Sequence, residues 1–213
     1  EVTRNGERVF DTAMPTPAPT ETLSADSFAM AVWVKPAADT PLPPETNTGV
    51  HGVHDQRNDV VTPPHGDTCS AEGGHAGCGL AVGRNGVCVL EHGAGYFAPV
   101  LVHAAPLSDW THVAVVYRDG RPRLYLNGAF VRQGLQSNYR VHCAATSPGG
   151  SPQFRGRLGS IATSGGALDE AAVAQWAKTM PRPGAQRPGA PLELTRSATG
   201  DVVPQVWQAG TYT

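Results

Sequence analysis

The sequence predicts an all-β fold: layered antiparallel strands with one short helix. Three observations carry that expectation. Gly (25) and Pro (19) make up about a fifth of the 213 residues, which favours many turns over long helices. Short apolar runs are separated by Asp119-Gly120 and Asn127-Gly128, dipeptides that accept the left-handed backbone of a tight hairpin. The run Phe28-Ala29-Met30-Ala31-Val32-Trp33-Val34 is apolar on both faces, as suits a strand inside a sandwich.

Taken in order, residues 1–24 read as an N-terminal arm or linker, since Pro15, Pro17 and Pro19 exclude helix. In the strand that follows, Phe28, Met30, Val32 and Val34 share one face and Ala29, Ala31 and Trp33 the other, with Lys35-Pro36 as its stop. Residues 36–79 are rich in Pro, Gly, His and Asp, a connection long enough to be functional or disordered. Strand pattern resumes at Gly79-Leu80-Ala81-Val82-Gly83, turns at Arg84-Asn85-Gly86 and continues through Val87 to His92. Trp110 then leads into residues 111–117, followed by strands at 123–126 and 129–132. A second loop spans 136–152 and precedes a late strand at 154–161. Leu168-Asp169-Glu170 opens the helix, its acids suiting the positive end of the helix dipole, and Val173 and Trp176 are placed to anchor it. Met180-Pro181 ends it. The sandwich is thus expected over 25–183, with a linker and strand-like tail over 184–213.

Charge narrows the function classes. Only 16% of residues are charged, the formal net charge is -2, and no block of five like charges occurs. Nucleic acid is therefore not an expected partner. The longest apolar run is far too short to span a bilayer, so no membrane partner is expected either. The chain opens on Glu1 without a leader pattern, and the reading is a piece of a longer secreted or periplasmic protein. Of the four cysteines, Cys69 and Cys78 bracket a polar Gly-rich loop and are paired first, a bridge that would stabilise by roughly 2–3 kcal/mol. Cys88 lies in an apolar strand pattern and reads as a buried thiol; the pairing of Cys88 and Cys143 stays open.

Residues 110–128, Trp-Thr-His-Val-Ala-Val-Val-Tyr, then Asp-Gly, then Leu-Tyr-Leu-Asn-Gly, strongly resemble the laminin-G-like branch of the concanavalin-A-like superfamily. The run from Phe28 to Lys35 resembles that family's early strand. The segments Phe154-Arg-Gly-Arg-Leu-Gly159 and Ala167-Leu-Asp-Glu-Ala171 resemble its late strand and short helix. The tail, Leu192-Glu-Leu-Thr195 with Val206-Trp-Gln-Ala-Gly-Thr-Tyr212, resembles a segment of large bacterial rhamnosidase-type glycoside hydrolases. The resemblance implies a two-sheet antiparallel jelly roll whose functions are mostly binding: carbohydrate modules of glycoside hydrolases, or adhesion domains. Some relatives hold calcium, for which Asp55, Asp59 and Asp67 are the loop oxygens on offer, at a spacing that matches no known calcium loop. No other cofactor is implied.

Glycoside hydrolysis needs two carboxyl groups across the scissile bond. Glu91 stands alone on its strand and Asp169-Glu170 is a helix start, so a non-catalytic module is expected. His51, His54, His65 and His75 lie near Cys69 and Cys78, but only His51-x-x-His54 has a zinc-compatible spacing, and loop-packing histidines are the plainer reading. For sugar, aromatic faces and planar polar groups are wanted. Glu91, His92 and Tyr96 in a Gly-rich segment supply them, with Arg57, Asn58 and Asp59 from the long loop and Arg84 and Asn85 from a turn. Trp33 and Trp110 read as packing, and Tyr125, opposite Leu124 and Leu126, as exposed. The expected function is a carbohydrate-binding module of a larger secreted glycoside hydrolase acting on rhamnose-containing or other plant or bacterial polysaccharide. Its partners would be a polysaccharide or oligosaccharide and neighbouring domains; the alternative is a structural or protein-adhesion domain.

Overall fold

The computed structural model describes residues 25–63, 69, 71–143 and 154–183, and the backbone of 2–4, 7–10, 194–196 and 202–204. In chain order its strands begin with β1 (Val2–Arg4), β2 (Glu7–Phe10), β3 (Phe28–Pro36), β4 (Asp59–Val61) and β5 (His75–Gly83). Next come β6 (Gly86–Gly93), β7 (Tyr96–Ala104), β8 (Thr111–Arg118), β9 (Arg121–Leu126) and β10 (Ala129–Gln133). They end with β11 (Arg140–His142), β12 (Gly156–Ser164), helix α1 (Glu170–Thr179), β13 (Leu194–Arg196) and β14 (Val202–Pro204). One sheet runs β1-β2-β12-β3-β8-β9-β10; the other runs β11-β5-β6-β7, with β4 also on β5. The chain is a two-sheet sandwich with one short helix.

Alternation along each strand decides what each face meets. Phe28, Met30, Val32 and Val34 of β3 and Val113, Val115 and Tyr117 of β8 face Leu80, Val82, Val87 and Val89 in the core between the sheets. The opposite face of β3 and β8 carries Ala29, Ala31 and Ala114, small enough for α1 to lie close, with Val173 fully buried. Trp33 is 8% exposed and donates its indole N–H to the Met180 carbonyl at 3.1 Å, fixing the end of the helix. Asp169 caps the other end by accepting from the Ala172 N–H at 2.7 Å. The turns form as their residues dictate: Asp119, Gly120, Asn127 and Gly128 all have positive φ, and each pair reverses the chain between paired strands.

The structure departs from the sequence reading in several places. The backbone of β2 pairs with β12 and β1 with β2, so residues 2–4 and 7–10 of the supposed arm extend a sheet. β3 does end at Pro36, although Pro36 itself is still paired, with Gly156. The loop at 136–152 contains β11, which lies parallel to β5. Tyr125 is buried, because the face opposite Leu124 is covered by α1 and not by water. Cys69 and Cys78 are not bridged; all four cysteines carry thiols and are buried. Cys78 points into the core between the sheets, and its thiol rests on the Gly79 carbonyl rather than on Cys69. The linker at 184–190, Pro15, Pro17, Pro19, and the tail residues 192–193 and 206–212 lie outside the described residues; β13 and β14 pair as an antiparallel hairpin.

Candidate functional site

Residues 42–54 form a strap over the outer face of the β5–β7 sheet. Thr46 donates its backbone N–H to the Pro99 carbonyl at 3.0 Å, and His51 and Gly52 both donate to the Phe97 carbonyl at 2.8 Å. Phe97 in turn donates to the Gly49 carbonyl at 3.0 Å, so the strap satisfies an edge strand that would otherwise stand open. Gly52 is dictated by contact: a Cβ there would strike the Phe97 ring. Leu42 packs on Ala81, Cys88, Leu90 and Phe97 beneath. Much of the long loop is therefore a cover for the sheet face.

Where the strap meets the sandwich rim, a cleft of about 810 Å³ opens. Its walls are residues 37–41, 56–58, Arg84 and Arg155. Two asparagines hold these segments together. Asn58 is 2% exposed, donates its amide to the Val82 carbonyl at 2.8 Å and the Arg155 carbonyl at 3.1 Å, and accepts from the Arg155 N–H. Asn85 accepts from the Thr40 N–H at 2.9 Å and donates to the Thr40 carbonyl at 2.8 Å. Both were expected as ligand groups; both spend their amides on the backbone of the cleft.

The charged side chains remain. Arg57 pairs with Asp59 at 2.8 Å and lies 4.9 Å over the Phe97 ring. Burial pushes the Asp59 carboxyl up to about 6 despite that guanidinium. Arg84 pairs with Asp39 at 3.0 Å in the open. Gln56 and Arg155 are exposed at the rim. Of the sequence-predicted residues, Arg57, Asn58 and Arg84 thus line one cleft, Asn85 braces it, and Asp59 sits behind it. Gln56, Asp39 and Arg155 were missed, since nothing in their local sequence marks a cleft assembled from four separate segments.

Glu91 and Tyr96 are elsewhere. The alternation Val87, Val89, Glu91 turns the carboxylate inward, where it is fully buried. It accepts from Tyr96 at 2.9 Å, Ser137 at 2.6 Å and Tyr117 at 3.0 Å. Burial lifts its pKa to about 7, with those three hydrogen bonds pulling the other way. These are groups of the core, not of a binding rim, which corrects the expectation for both. His92 is half-buried among the rings of His54 and Phe97, at 5.9 and 4.8 Å.

A two-sheet sandwich with loops gathered around a rim cleft is a fold shared by many sugar-binding proteins and hydrolases. The sequence model of the concanavalin A-like lectin/glucanases superfamily matches residues 10–174. The chain belongs to that superfamily. Among solved structures, this concanavalin A-like chain is similar to domain 4 of AbnA, a GH43 extracellular arabinanase from Geobacillus stearothermophilus, in complex with arabinotriose. That pair shares 18% identity, with 72% of this chain and 68% of that one covered and a TM-score of 0.41. It is also similar to a native heptameric SAP-like pentraxin from Limulus polyphemus, at 15% identity, covering 85% and 88%, with a TM-score of 0.47. For the binding domain of botulinum neurotoxin DC in complex with SialylT the identity is 10% and the TM-score 0.48; 73% of this chain covers 36% of the toxin chain. No curated protein sequence matches it.

Metal expectations meet the same geometry. Calcium was expected on Asp55, Asp59 and Asp67. Asp55 is exposed, Asp59 already faces the Arg57 guanidinium, and Asp67 lies outside the described residues. Among the described residues no three His, Cys, Asp or Glu side chains converge. For zinc, His75 instead meets His142, nitrogen to nitrogen at 2.7 Å, and His54 rests on Phe97 at 4.4 Å. His51 lies on the strap, and His65 is outside the described residues.

Proposed function

We propose that the chain is a non-catalytic carbohydrate-binding module whose ligand enters the cleft between Arg57, Gln56, Arg84 and Arg155. The observation that carries this reading is the lining itself. An open volume of about 810 Å³ is walled by planar polar groups that can take hydroxyl pairs. Its wall bears one carboxylate, Asp39, already paired with Arg84, and Asp59 is paired with Arg57, which lines it. Hydrolysis asks instead for two carboxyl groups free to act across a glycosidic bond. Membership of a superfamily of lectins and glucanases supports a saccharide as the ligand. The wider setting we propose is a secreted or periplasmic glycoside hydrolase, acting on rhamnose-containing or other plant or bacterial polysaccharide, to which this module adds substrate affinity.

A second reading rests on Val50 and Val53, 58% and 37% exposed on the strap, which suit contact with a neighbouring domain of a longer chain. A glycan array probed with this chain tests the first reading. Binding that weakens when Arg57 or Arg84 is changed to Ala supports it. Absence of binding to every glycan, or release of reducing sugar by the purified chain, counts against it.

A further inference from the structure

Three guanidinium groups line the cleft, from Arg57, Arg84 and Arg155, against one lining carboxylate, Asp39. Their states differ. Arg84 has its Nε on Asp39 at 3.0 Å, but both side chains are more than half exposed, and such a pair exchanges readily. Arg57 is 15% exposed, and beyond its bond to Asp59 its Nε and Nη1 are buried without an acceptor among the described residues. Arg155 is exposed, and no carboxylate among the described residues pairs with it, although its backbone is locked on both sides by Asn58. The cleft therefore combines a fixed frame with cationic forks that outnumber their partners.

Resting on the saccharide reading above, we propose that the cleft selects a sugar bearing a carboxylate, a uronic acid residue, over a neutral one. A guanidinium presents parallel N–H donors that match a planar carboxylate, and these charge-assisted bonds are stronger than those to a hydroxyl. Arg155, held by its backbone and without a carboxylate partner among the described residues, is the group that first meets the anion. Arg84 joins it by leaving Asp39, and Arg57 supplies positive charge from the floor. A cleft with more guanidinium groups than carboxylates also draws anionic ligand inward.

The test is calorimetric titration of the whole chain with trigalacturonate, its fully methyl-esterified form, and a panel of neutral, uronate-containing and sulfated polysaccharides. The ester keeps the sugar ring and removes the charge. The acid form is expected to bind about tenfold more tightly than the ester, the difference typical of a hydrogen bond to a charged group. Arg155→Gln, an exposed change that keeps the backbone contacts, should weaken binding of the acid about fivefold and so narrow its preference over the ester. Circular dichroism confirms that the variant folds. If some panel members bind but uronates show no preference over esters or neutral glycans, the acidic-sugar assignment falls and saccharide binding stands. If nothing on the panel binds, both fall. A sulfated galactan binding more tightly than any uronate would overturn the carboxylate assignment alone.

Discussion

Tyr117 of β8 donates its hydroxyl to Glu91 of β6 at 3.0 Å, so a buried hydrogen bond runs from one sheet to the other. Tyr96 and Ser137 donate to the same carboxyl, at 2.9 and 2.6 Å. The core of the sandwich is thus pinned at a titratable group.

That group should make stability depend on pH. The Glu91 carboxyl titrates near 4.5 when the chain is unfolded and at about 7 when folded. Between those values the folded chain holds a proton that the unfolded chain lacks. The stabilisation is therefore complete below pH 4.5 and is lost as pH rises to about 7, a loss of roughly 3 kcal/mol. His112 works oppositely. Burial holds it down at about 4, so its contribution is full above 6.5 and is lost as pH falls towards 4. Comparing wild type with Glu91→Gln cancels His112. The stability of the wild type relative to the variant should decline from pH 5 to pH 8 in urea unfolding, and parallel curves would refute the assignment.

The thiols give a second expectation. Cys78, Cys88 and Cys143 are buried, and burial raises all three, Cys88 and Cys143 to about 12. A thiol that stays protonated reacts slowly. Thiol titration should find four groups in denaturant and almost none in the native protein. Dithiothreitol should leave Tm unchanged; a fall of several degrees would restore the Cys69–Cys78 bridge.

Asn58→Ala should loosen the cleft without touching a ligand. It removes the bonds to Val82 and to both backbone groups of Arg155, leaving polar groups unpaired at a cost of roughly 1–3 kcal/mol. Denaturant unfolding measures this, and a neutral outcome would mean that water replaces the amide.

How legible all this was depends on range. Hairpins at Asp119-Gly120 and Asn127-Gly128, the two faces of Phe28–Pro36 and the helix opened by Asp169 are written in adjacent residues, and the sequence alone conveys them. Strand parity could also have turned Glu91 inward with Val87 and Val89, had the apolar alternation been extended one step. The burial of Tyr125 is not legible locally, because it depends on α1, some 45 residues later in the chain. The cleft is non-local in the same way: Asp39, Arg57, Arg84 and Arg155 meet only once the sheets are stacked.

The two hairpin glycines separate backbone strain from packing. Gly120 and Gly128 have φ of 76° and 83°, a region where an L side chain is disfavoured by roughly 1–2 kcal/mol. At Gly120 an added Cβ would meet the Nε2 of Gln136 at 2.9 Å, the far end of a flexible side chain that can move aside. At Gly128 it would meet the Ala174 Cα and the Ala177 Cβ, both at 3.0 Å, on the helix that covers Tyr125. A helix held by Val173 and by the Trp33 bond to Met180 cannot retreat without opening that second core. Gly128→Ala should therefore cost more than Gly120→Ala, by about 1 kcal/mol or more, the cost typical of overpacking. It should also raise the exposure of Trp33 and Trp176 seen in fluorescence. Equal costs for the two substitutions would mean that α1 yields freely and that its packing on the sheet is loose.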